Sequence, residues 1–126
     1  MDSDIEGGTL AYFLRVAGHR ILWFGSMNYV EREVQGLQPD VAMIAAARQR
    51  LEIHDDTGRL LRALGLPRLV IATHWNEQSL PFGASQDARL REAQIFVREV
   101  KEVSSRTRVI VPRHFETHVL PGKRLR

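Results

Sequence analysis

No cysteine occurs among the 126 residues. That excludes disulfides and thiolate-bound zinc, and leaves His, Asp and Glu as the side chains able to hold a metal ion. Lysine is nearly absent as well: of the 18 basic residues only Lys101 and Lys123 are lysines, and the other 16 are arginines. No apolar run exceeds the length of a strand, and the acidic start "MDSDIEGG" has no hydrophobic segment, so no signal peptide or membrane span is expected. A cytoplasmic chain is the resulting expectation. With 44% apolar and 26% charged residues, the composition is that of a folded domain rather than a disordered chain. One domain spanning residues 1–126 is expected, with neither linker nor internal repeat.

A net charge of +3 carried by arginine invites a nucleic-acid reading. The arginines are dispersed, however, and sit beside acids in "EREV", "DARLREA" and "VREVKEV", as on solvated helix faces with i,i+3 and i,i+4 pairs. Nucleic-acid binding is therefore not expected. The terminal "GKRLR" is the one local basic cluster.

Apolar patterning predicts alternating strands and helices. "TLAYFLRVAGHRILWFG" reads as a hairpin turning at Gly18. Asn28 caps a short helix in "YVEREVQGL", with Val30, Val34 and Leu37 on one face and Gly36 closing it. "VAMIAAA" (41–47) is a buried strand. "HDDTGRLLRALG" is a helix with Asp55, Asp56 and Thr57 in capping positions, ended by Gly65 and Pro67. "RLVIAT" is the next strand. "QDARLREAQIFVREVKEV" is a long amphipathic helix facing its core with Leu90, Ala93, Val97 and Val100, and "RVIVP" follows as a strand, with "ETHVL" as a short final edge strand. The class is α/β, with one mixed sheet and helices packed on it.

In such sheets ligands gather beyond the strand ends. His74, directly after the strand at 69–73, is the leading candidate site residue. His54, before a helix, and His114, after the last long strand, are rim candidates. His19 in the hairpin is read as structural. The "HFETH" stretch sets His114 and His118 four apart, but it follows "RVIVPR" and contains Phe115 and Thr117, so an extended conformation is expected rather than a zinc-binding helix.

The segments "GTLAYFLRVAGHRILWFGS", "PDVAMIA" and "TGRLLRALGLPRLVIATHW" together resemble the C-terminal half of metallo-β-lactamase-fold hydrolases, including lactonase-like branches. The resemblance runs from about Gly8 to about Leu120. It implies half of an αββα sandwich with helices on one sheet face, and His74 as a ligand to zinc or a similar ion. It further implies hydrolysis of a small ester, lactone, amide or phosphoester by metal-bound hydroxide. Ser26 stands where the family carries its bridging aspartate, and Asn76 where an aspartate often follows, so both are expected at the site rim without supplying charge. The His-x-His-x-Asp-His motif of the family's N-terminal half is absent from this sequence. The expected protein is thus a partial hydrolase, weak or inactive alone. Its partner would be the missing half or a second copy. The alternative is a non-catalytic α/β module that self-associates or binds another protein.

Overall fold

A computed structural model describes residues 10–25, 29–47, 50, 52–76, 78–81 and 83–122. The chain runs β1 (Ala11–Val16), β2 (His19–Phe24), α1 (Glu31–Val34), β3 (Val41–Ala45), α2 (Asp56–Ala63), β4 (Leu69–Thr73), α3 (Asp87–Val103) and β5 (Arg108–Ile110). This is the expected order of elements. The five strands form one sheet in the order β1-β2-β3-β4-β5, with β1 antiparallel to β2 and the rest parallel. The domain is α/β with one mixed sheet.

The hairpin turns on Ala17 and Gly18, both at positive φ (49° and 79°), which a two-residue loop needs to match strand twist. At the end of α2, Gly65 (φ 76°) permits the reversal. Its N–H donates to the Arg62 carbonyl and the next N–H, of Leu66, to that of Leu61, a closure that satisfies two otherwise orphaned carbonyls.

Because each crossover steps to the adjacent strand in the same direction, crossovers of one hand bring every helix to one side. The main core accordingly joins Leu22, Phe24, Ala42, Ile44, Val70 and Ala72 of the sheet to Leu60, Leu61 and Leu64 of α2 and to Ala93, Phe96 and Val100 of α3. The opposite face holds a smaller cluster of Val41, Leu69 and Ile110 with Ile21 and Ile71. Among the described residues it receives none from a helix, and Leu120 of the C-terminal segment packs on it.

Several local expectations are corrected. Asn28 lies outside the described residues, α1 has Val30 as its N-cap, and Val30 is exposed while Val34 is buried. In α3 the residue facing the core is Phe96, fully buried, and Val97 is half-buried at the margin, because Ala93, Phe96 and Val100 make the inward stripe. The strand at 41–47 stops at Ala45, where β4 also ends at Thr73, and the strand at 108–112 stops at Ile110, two residues short of the end of β4 and ahead of Pro112, which has no N–H to give the ladder. "ETHVL" forms no strand, since β5 is paired only with β4 and the chain leaves the edge to pass toward the hairpin. There the His19 Nε2–H donates to the Pro121 carbonyl at 2.5 Å.

Candidate functional site

The C-terminal ends of the parallel strands β2, β3, β4 and β5 lie on one edge of the sheet, and the described candidates His54, His74, Asn76 and His114 follow β3, β4 and β5 in the chain. His74 directly follows β4 with φ of 52° and an exposed side chain. A left-handed histidine is uncommon but better tolerated than most residues. The chain thereby turns out of the sheet at His74, and the next residue, Trp75, folds back into the core. Trp75 is 8% exposed, and its indole N–H donates to the Pro112 carbonyl at 3.0 Å. His114 stacks on that indole with ring centroids 5.8 Å apart. The structure therefore brings His114 to the loop that carries His74. Asn76 follows, half-buried. Thr73, the last strand residue, has a buried hydroxyl without a hydrogen-bond partner.

His54 is not part of this group. It lines a separate cleft of about 570 Å3 with Glu52, Asp55, Glu99 and Glu102. Ser26 lies outside the described residues.

The most strongly constrained charge at this end of the sheet is one that sequence reading missed. Arg50 is 1% exposed, donates through Nε to the carbonyl of Ala45 (2.8 Å) and through Nη1 to the Asp56 carboxylate (2.5 Å). The Tyr29 hydroxyl donates to the other Asp56 oxygen at 3.3 Å. Burial pushes the Arg50 pKa down, opposed by the adjacent Asp56. Burial, with the Asp56 charge next, pushes the Tyr29 phenol up. Asp56 is thus held by Arg50 rather than by its own helix: no side-chain cap bond forms at the start of α2, and Asp55 pairs with Arg62 instead. The triad ties the loop after β2, the end of β3 and the start of α2 into one unit. Arg50 sits in a polar stretch without periodicity, and no sequence signal marks it as buried.

Among the described residues no group of three or more His, Asp or Glu side chains is arranged to hold a metal ion. A resident metal therefore does not fit these residues alone, and His74 could offer it a single imidazole. No described helix is long and apolar enough to cross a membrane. Comparison with protein-family profiles, with curated proteins and with solved structures finds no match to this chain.

Proposed function

We propose that this chain is a docking half-layer: an α/β unit whose helix-free sheet face packs on the equivalent face of a second copy. The carrying observation is the composition of that face. Alternation along β1 directs Tyr12, Leu14 and Val16 to the side opposite the helices, where they are 47%, 46% and 55% exposed. Tyr12 stacks on Trp23 across the strand pair with centroids 5.4 Å apart, and Ile21, Met43 and Ile71 are only half-covered. A soluble β-strand with one wet face normally turns polar residues to that side. Here Phe13 turns to the core, while Tyr12, Leu14 and Val16 turn away from it.

Five strands about 4.8 Å apart and about five residues long give the whole face a footprint of roughly 400 Å2, of which the part around Val41, Leu69 and Ile110 is already buried with Leu120 packed on it, leaving the hairpin side of Tyr12, Leu14, Val16 and Trp23 open. A patch of up to about 300–600 Å2 is the largest that a soluble monomer ordinarily shows, and such a patch often serves as an interaction surface. Packing two such faces buries an area at or below the lower end of stable interfaces, which fits a concentration-dependent dimer with a dissociation constant in the micromolar range. Sedimentation velocity between about 1 and 100 µM should show a monomer–dimer equilibrium. Leu14→Lys should hold the chain monomeric with its circular dichroism unchanged. A wild-type monomer throughout would remove the proposal.

The stacking of His114 on Trp75, the residue after His74, supports a second reading. By its resemblance to metallo-β-lactamase-fold hydrolases, the unit would supply His74 to a hydrolytic zinc site completed by another half, and would turn over little alone. Equilibrium dialysis with zinc tests this: weak binding that requires His74 is expected, and binding indifferent to His74 would exclude it.

A further inference from the structure

The opposite, N-terminal edge of the parallel strands carries a cleft of about 540 Å3, which borders the helix-free face at Val41 and Leu69 and whose charged residues neither reading uses. It is lined by His19, Asp40, Arg68, Arg106 and Arg108, with Val41, Leu69 and Leu120 as apolar surface. The strand order creates it. Arg68 precedes β4 and Arg108 opens β5, and the Arg108 N–H donates to the Arg68 carbonyl at 2.9 Å, so two arginines far apart in sequence become neighbours. Between Arg106 and Arg108, buried Thr107 donates its hydroxyl to the Pro67 carbonyl (2.7 Å), and Lys101 donates to the Thr107 carbonyl (2.6 Å). The loop is therefore pinned while both flanking guanidinium groups stay exposed. Elsewhere Arg32, Arg62 and Arg89 face Glu33, Asp55 and Glu92. Among the described residues, Arg68, Arg106 and Arg108 have no acidic partner within ion-pair distance, and the carboxylate of Asp40, which also lines the cleft, accepts from the Arg20 N–H at 3.0 Å. His19, nine-tenths buried, donates its Nε2–H to the Pro121 carbonyl and forms a wall of the cleft.

We propose that this cleft binds a small phosphate monoester, its phosphoryl group held by Arg68, Arg106 and Arg108 and its apolar body laid against Val41, Leu69 and Leu120. Three guanidinium forks match the terminal oxygens of a dianion, whereas a monocarboxylate would occupy one. The volume is that of a small-molecule pocket. A nucleic-acid strand would need a basic track beyond it, and the arginines outside the cleft that pair on helix surfaces are already neutralised by acids.

Calorimetric titration with phenyl phosphate and with inorganic phosphate tests the proposal. Phenyl phosphate should saturate a single site, more tightly than inorganic phosphate, and added salt should weaken it. Arg108→Gln and Arg106→Gln should each cost about tenfold or more in affinity, and Arg108→Lys less. Because these side chains are exposed, circular dichroism should be unchanged. In nuclear magnetic resonance spectra, amides of Val41, Leu69 and Arg108 should shift while Ala45 and Thr73, at the other edge, stay still. Running the titration on Leu14→Lys keeps the result independent of dimerisation. No saturation by phenyl phosphate up to about 10 mM, or binding indifferent to the arginine changes, would overturn it. So would tighter binding of a single-stranded oligonucleotide with a steep salt dependence.

Discussion

Tyr12 and Trp23 stack at 5.4 Å across the β1–β2 pair, on the face of the sheet that no helix covers. Trp23 is half-exposed while the second tryptophan, Trp75, is buried under the loop after β4. The two indoles therefore report on different parts of the molecule.

On this basis the emission of Trp23, isolated in a Trp75→Phe background, should move to shorter wavelength as concentration rises through the dimerisation range. Covering an indole removes its polar solvent. A spectrum independent of concentration, measured alongside sedimentation, would show that association proceeds through some other surface.

Arg50→Ala should destabilise the fold by about 3–5 kcal/mol, since it leaves the Asp56 carboxylate buried beside an empty cavity and frees the Ala45 carbonyl. Replacing both partners by apolar residues, as in Arg50→Met with Asp56→Leu, should recover most of that loss. Urea denaturation of the single and double variants measures both values. A cost near zero for Arg50→Ala would mean that the pair contributes nothing to closing this edge.

Tyr29 gives the stability a pH dependence on the alkaline side. Its folded pKa is raised above the ordinary 10.0, first by burial and then by Asp56, so the fold prefers the neutral phenol. The stabilisation is whole below the unfolded value and is lost as pH rises through the folded one. Tyr29→Phe should lose about 0.5–1 kcal/mol at neutral pH for the hydrogen bond to Asp56. It should also flatten the decline above pH of about 10. Denaturation midpoints between neutral and alkaline pH compare the two proteins directly, and parallel curves would contradict the assignment.

His74 carries two separable demands, a left-handed backbone and an imidazole. His74→Asn keeps the first, so its melting temperature should match the wild type, while any zinc affinity that depends on the ring should vanish. His74→Val should instead cost about 1–2 kcal/mol, because a β-branched side chain fits that backbone poorly. Equal stability of the two variants would show that the φ of 52° imposes no constraint.

The sequence alone determined the element order, because a strand records its period of two and a helix its period of 3.6 within a short window. Gly18, Gly36 and Gly65 marked reversals that the structure places at positive φ. The apolar runs "VAMIAAA" and "RLVIAT" also announced strands, which the structure trims to Val41–Ala45 and Leu69–Thr73. Local sequence could not decide which residue of α3 faced inward, because Phe96 and Val97 are adjacent and both apolar. Nor could it reveal Arg50, whose burial depends on Asp56 and Ala45 arriving around it. The candidate site was legible only as His74 at a strand end. That His114 joins its loop while His54 lines another cleft follows from the stacking on Trp75 and from the paths of the helices. Tertiary structure alone decided the two surfaces proposed for binding. A uniform stepping of adjacent parallel strands leaves one sheet face without a described helix, open on its hairpin side, and strand pairing gathers Arg68, Arg106 and Arg108, which the sequence shows only as scattered arginines, around one cleft.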